Sequence, residues 1–172
     1  ISRIPQSALV SDTVTVNGGE AWIAGLEAQT SWKLSPDWTL SGFLTYQYGD
    51  AERPSFLGGP EITEPVSRLS PLRGSIALRY DDPSEKWWAE ARITAADTAD
   101  RLAANDLGDT QRIPSGGTPS YVTAALFAGW QATENLQFNL ALENLTDEDY
   151  RVHGPGLNES GFNATLSAKF SW

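Results

Sequence analysis

Cysteine is absent from the sequence, which excludes a disulfide framework and every cysteine-based metal centre while remaining compatible with the cell envelope. Basic residues are scarce: 12 Lys and Arg face 22 Asp and Glu, giving a net charge of −10. Nucleic-acid binding needs clustered cations to neutralise phosphates, and no basic stripe exists. Long apolar runs are also lacking. None approaches the roughly 20 residues of a membrane helix, and mean hydropathy is −0.33. No signal peptide is visible from Ile1 onward, and the N-terminal part of a longer precursor is expected to lie outside this sequence. A Ser/His/Asp site would have to use the single histidine, His153, and no Gly-x-Ser-x-Gly motif accompanies it; no enzyme and no cofactor are expected. Gly58-Gly59 and Gly116-Gly117 are followed by no Lys-Ser/Thr pair and are expected to serve loop flexibility instead of phosphate binding.

Aromatic residues, by contrast, are plentiful, with seven Trp, six Phe and five Tyr. They fall into a period of two. Trp22, Ala24, Leu26, Ala28, Thr30, Trp32 and Leu34 alternate with Gly25, Glu27, Gln29, Ser31 and Lys33, and after the turn Ser35 to Asp37 the pattern resumes with Trp38, Leu40, Gly42, Leu44, Tyr46 and Tyr48. Similar alternations run over Leu72–Tyr80, Trp87–Thr94, Val122–Trp130, Leu136–Glu143 and Phe162–Trp172. Connections alternate too: residues 49–70, 97–120 and 144–160 are long loops, whereas Ser35 to Asp37, Asp81 to Lys86 and Gln131 to Asn135 are short turns. Seven strands result, with Ile1 to Ile4 a candidate end of an eighth.

A soluble β-sandwich would alternate as well, burying the aromatic face and turning the polar face to water. Three features favour an antiparallel transmembrane β-barrel segment, about seven to eight meander strands of a larger barrel. Several strands reach about ten residues, enough at a tilt near 45° to cross a hydrocarbon layer of about 25 Å. Aromatics bracket the short turns, as in an interfacial girdle: Trp32 and Trp38, Tyr80 and Trp87, then Trp130. The second face carries Glu27, Lys33, Arg73, Arg79, Glu90, Arg92 and Glu143, which a dry core could hold only at several kcal/mol for each unpaired charge. A wet lumen accommodates them. By the same topology the long loops are expected on the cell surface and the short turns in the periplasm.

The stretch Glu143-Asn144-Leu145-Thr146-Asp147-Glu148-Asp149-Tyr150, then Gly154-Pro155-Gly156, then a last strand ending in an aromatic, resembles the C-terminal signature of TonB-dependent outer-membrane receptors. Gly19 to Glu27 and Pro71-Leu72-Arg73-Gly74 fit the same family, so the resemblance covers nearly the whole chain. It implies a barrel of about 22 strands closed by a plug, with residues 1–172 as its C-terminal part and the plug and N-terminal strands outside this sequence. It further implies import of a scarce ligand such as an iron-siderophore, haem or cobalamin, driven through the plug by the TonB complex. The implied partners are outer-membrane lipid, the remainder of the barrel and the assembly machinery, which would read the terminal aromatic strand with Phe162, Leu166, Phe170 and Trp172. A small self-closing barrel acting as a porin or adhesion scaffold is the alternative.

Arg68, Arg73, Arg79 and Arg92 are candidates for lining the path of an anionic ligand, although pairing with lumen or plug carboxylates weighs more. His153 is a candidate haem or metal contact, but a single loop histidine is more simply an exposed residue. Asp147, Glu148 and Asp149 lack the spacing and glycine of a calcium loop and are expected to be solvated. The glycosylation patterns at Asn144 and Asn163 are expected to be coincidental.

Overall fold

The structure, a computed structural model, describes the backbone of residues 2–5, 13–16, 19–56 and 58–172, with side chains from residue 19 onward. Two short strands, β1 (Ser2–Pro5) and β2 (Thr13–Val16), pair only with each other among the described residues. The main sheet contains β3 (Ala21–Lys33), β4 (Trp38–Pro54), β5 (Glu61–Pro65), β6 (Arg73–Asp81), β7 (Trp87–Ala96), β8 (Tyr121–Thr133), β9 (Leu136–Glu143) and β10 (Asn163–Phe170); a five-residue helix, α1 (Ala104–Gly108), interrupts the connection before β8. β5 aside, each strand of this sheet is antiparallel to its sequence neighbour, in the order β3-β4-β6-β7-β8-β9-β10.

The pairing register explains why the alternation recurs from strand to strand. Trp32, Leu40, Leu78, Ala91, Leu126, Leu142 and Ala164 lie side by side across all seven strands. One position along, Lys33, Thr39, Arg79, Glu90, Phe127, Ala141 and Thr165 form the neighbouring row, on the opposite face. A one-residue slip at any pair would move a whole apolar set to the polar side, so the pattern itself fixes the register.

Short turns close one end of the sheet by local hydrogen bonds. Ser35 Oγ accepts from the N–H groups of Asp37 (3.4 Å) and Trp38 (3.2 Å). In the next turn Asp82 Oδ2 accepts from Ser84 N–H at 3.2 Å, and Glu85 takes φ +57°. A bulge between Gln131 and Thr133 precedes the third. Along this end Trp38, Tyr80 and Trp87 meet in succession as tilted pairs with ring centres 5.0 Å apart, and Trp130 stacks on Phe138 at 5.9 Å. The bracketing aromatics thus form a continuous band on the apolar face.

Two expectations require correction. Residues 49–70 are not all loop: β4 continues to Pro54 and β5 pairs with it from Asp50↔Pro65 to Pro54↔Glu61, closed by Ser55 N–H to the Pro60 carbonyl at 2.9 Å. Apolar alternation stops near Tyr48 because this hairpin extension is polar, while the backbone ladder, which needs no apolar face, carries on. The proposed eighth strand at Ile1 to Ile4 is also absent from the main sheet. Ile1 lies outside the described residues, and Ser2–Pro5 pairs with Thr13–Val16 instead.

The sheet has almost no interior. Among the described residues the buried apolar side chains are Ala77, Ala96, Ala99, Ala103, Ile113 and Tyr121, and three of these six belong to the long loop between β7 and β8. Trp22, Leu26, Trp32, Ile76, Ile93, Trp130, Leu166 and Phe170 all stand exposed. Such an apolar area is much larger than a soluble monomer leaves to water. β3 and β10 are the outer strands of the meander, exposed along their whole length. Among the described residues no helix is long and apolar enough to cross a membrane.

Candidate functional site

Two ion pairs form within the sheet on the polar face. Arg79 grips Asp81 with Nε and Nη2 (2.9 and 2.7 Å) and lies over the Trp88 ring, 4.0 Å from its centre. Trp88 in turn packs over Gly129, where any Cβ would collide with the indole. Arg92 bonds Glu90 and covers the Phe127 ring at 4.9 Å. Arg73 differs: it carries no hydrogen bond, and its Nε is buried without a partner. It lines an open concavity of about 370 Å³ together with Glu27, Gln29, Phe43, Gln47 and Ser70.

At the end opposite the short turns, the three long connections interlock into a crown. Asp106 of α1 is 1% exposed and receives the Ser67 hydroxyl, the Arg68 N–H (3.4 Å) and the Ala103 N–H (3.0 Å). Arg68, at φ +61°, bonds Asp109 at 2.7 Å. Arg53 and Glu64 form an ion pair across the β4–β5 extension, and Glu64 also accepts from Ala104 N–H at 3.1 Å. Arg101 bonds Asp50 at 2.6 Å and stacks on Tyr48 at 3.8 Å. The third loop joins through Arg151, which donates to the carbonyls of Gln111 (3.4 Å) and Arg112 (3.2 Å), and through His153, whose Nδ1 lies 2.9 Å from Thr118 Oγ1.

Two crown groups have shifted acidities. The hydrogen bond from Arg53 holds the Glu64 carboxyl below its ordinary range, against burial, with the Ala104 N–H adding to the lowering. Burial holds His153 below the usual imidazole value; Asp106 opposes this and Arg68 reinforces it.

Asn144, the second residue of the C-terminal signature, organises the third loop. It is 5% exposed, at φ +49°, and its Nδ2 donates to the carbonyls of Glu148 (2.9 Å) and Ser160 (3.0 Å). Its Oδ1 accepts from Thr146 Oγ1 (3.1 Å) and Glu148 N–H (3.0 Å). A side chain so engaged has no free amide for a glycan. Asp147 Oδ1 receives the Phe162 N–H at 2.9 Å, tying the loop to the start of β10. Tyr150 ends the signature against Tyr121, ring centres 4.4 Å apart, beside a concavity of about 290 Å³ on which Glu143 and Glu159 also border.

The structure therefore divides the expected site residues. Arg73, Arg79 and Arg92 stand on the polar face, whereas Arg68 and His153 belong to the crown; of these, Arg73 and His153 meet at the rim of one small recess beneath the crown. Phe162, Leu166, Phe170 and Trp172 are exposed, along β10 and just beyond its two ends. Gly117 proves to be a packing requirement and not a flexible joint: at φ +111° its Cβ would fall on the Ala99 carbonyl, where Ala99 and Thr118 bridge. The sequence reading passed over Trp88, Tyr121 and Asp106. For Trp88 the signal was present, since the residue after Trp87 must point to the polar side.

A one-sided apolar sheet with an aromatic band at its short-turn end and a polar inner face defines the wall of an outer-membrane β-barrel. The chain belongs to the TonB dependent receptor-like, beta-barrel family, which matches residues 2–145. It is 29% identical over 154 residues to hemoglobin-haptoglobin utilization protein B of Neisseria meningitidis serogroup C, a match covering 84% of this chain and 18% of that protein. Among solved structures, copper transporter OprC shares the fold with a TM-score of 0.70 at 19% identity, over 88% of this chain and 24% of its own. The ferric-catecholate import receptor Fiu of E. coli K12 does so with a TM-score of 0.62 at 16% identity, over 98% and 23%. The chain thus spans under a quarter of each of these proteins.

Proposed function

We propose that this chain forms the lumen wall and extracellular loops of a receptor that imports a scarce metal-bearing ligand, an iron-siderophore, haem or cobalamin, across the outer membrane. The observation that carries the reading is the interlocked crown at the long-loop end of a lipid-facing wall: a loop set held by Asp106, Arg68, Arg101 and Arg151 presents a defined surface above the lumen. Long loops facing outward and short turns facing the periplasm is the arrangement such barrels adopt. The relative named for haemoglobin-haptoglobin utilization favours haem iron over the other ligands. In this reading the plug and the TonB complex, which supplies the energy, act through parts of the protein beyond these residues.

The porin or adhesion alternative needs a small closed barrel, in which β3 and β10 would pair; they stand at opposite edges of the meander. The test is growth of the producing bacterium, with and without the gene, on haemoglobin as sole iron source. Loss of growth restored by the full-length gene is expected. Unchanged growth on haemoglobin, together with loss on a ferric siderophore, would leave import standing and replace the ligand.

A further inference from the structure

Arginine is the residue whose partners decide what a lumen wall receives, because its five N–H donors fit carboxylate and phosphate oxygens and are costly to leave unmet. Eight arginines have described side chains. Arg53, Arg68, Arg79, Arg92, Arg101 and Arg112 each bond a carboxyl group, and Arg151 bonds Asn158 and two carbonyls. Arg73 alone of these bonds nothing, and its Nε has also lost contact with water.

Its position on the sheet directs it inward. Arg73 pairs with Thr45 on one side and Ala96 on the other, in a polar-face row that runs from Glu27 to Tyr121. On the Ala96 side Arg73 borders a tight recess of about 10 Å³ together with Tyr121, Arg151 and His153. Gln29, Gln47 and Ser70 border the same concavity and add neutral donors around it. Glu27, two strands away at roughly 10 Å of backbone separation, makes no ion pair with it among the described residues.

We propose that Arg73 is the oxyanion-receiving residue of the lumen wall, taking a carboxylate group of a ligand that enters beneath the crown. The assignment rests on the import reading for its biological meaning, but its chemistry is testable without transport. A planar fork recognises a carboxylate with two parallel hydrogen bonds, here from the two terminal Nη groups, which unlike Nε are not sealed. The concavity supplies further donors to the same group.

The experiment uses the full-length receptor in detergent, phenylglyoxal as an arginine reagent, and succinate as the probe carboxylate, with adducts assigned by mass spectrometry. Arg73 is expected to react faster than the paired Arg79 and Arg92. Succinate at ten times the Kd read from its own protection curve should slow Arg73 about tenfold by mass action and leave the other two unchanged. Three results overturn the proposal. Arg73 reacting at the same rate with and without succinate shows no carboxylate site. Equal slowing of all three arginines shows a general salt effect. Arg73 unreactive from the outset shows that another segment of the receptor already holds it, so that no ligand does. Should growth on haemoglobin and on ferric siderophores both be unaffected by the gene while succinate protects Arg73, the import reading falls and the site stands.

Discussion

Asn144 engages both ends of its amide in four hydrogen bonds, at a backbone angle that most residues avoid. Replacing it by Ala leaves two carbonyls, an N–H and a hydroxyl to find other partners, a cost of about 1–3 kcal/mol. Asn144→Ala in the full-length receptor is therefore expected to accelerate limited proteolysis within residues 144–162 by about tenfold or more, with heat-modifiability of the barrel retained. Titration offers a second residue-scale prediction. The folded pKa values of Glu64 and His153 both lie below their ordinary values. Each then contributes stability that is full above its unfolded pKa and is lost as pH falls through the folded one. Acidification from neutrality should loosen the crown in two steps, first below about 6.5 for the imidazole and then below about 4.3 for the carboxyl. Amide hydrogen exchange of residues 61–68 and 144–160 would show this as faster exchange at low pH after correction for intrinsic rates; uniform protection across that range would contradict it. Neither residue's role was readable in sequence. A loop histidine carries no period, so His153 reads as exposed, and Asp106, the hub of the crown, is one acidic residue among many until the fold brings Ser67 beside it.

Strands were legible wherever lipid writes a pattern. The faces of β3 and β4, and of β6 through β10, follow from counting alternate residues, since one face must be apolar throughout the membrane. The β4–β5 extension and α1 were not, because outside the membrane nothing forces alternation and a ladder or a single helical turn can form from polar residues. β10 tests the element-scale account. Phe170, Leu166 and Phe162 are exposed on one face, Phe170 pairs with Leu136, and the chain end is held by Ser171 N–H to the Asn135 carbonyl at 2.9 Å and Asn135 Nδ2 to the Ser171 carbonyl at 2.7 Å. Trp172 extends beyond the strand, fully exposed, where an indole anchors at the interface. Deleting Trp172, or Phe170→Asp, should reduce heat-modifiable barrel in the outer membrane at least several-fold at matched expression, a charge on the lipid face costing about 2 kcal/mol or more. Lys169→Ala, on the polar side, should change it little. Equal yields for all three would mean that this strand is not the one the assembly machinery reads.

At the scale of the whole molecule, a sheet with one apolar face, one charged face and, among the described residues, only six buried apolar side chains is intelligible only with lipid on one side and water on the other. Sequence carried this far because composition, strand length and the girdle aromatics all answer to the bilayer. It carried less far on the ligand, since the crown and Arg73 depend on contacts between loops distant in the chain. The absence of native cysteine in these residues permits a direct test. Single cysteines at Leu26, Glu27, Ala28, Gln29, Thr30 and Ser31 of the full-length receptor, on a background freed of any other accessible cysteine, would be spin-labelled and reconstituted in bilayers. Collision with oxygen, which partitions into lipid, is then compared with collision with a water-soluble nickel chelate. Oxygen accessibility should be high at 26, 28 and 30 and low at 27, 29 and 31, alternating with a strict period of two along β3. A flat profile, or one with the odd positions facing lipid, would contradict the assignment of this face to the membrane.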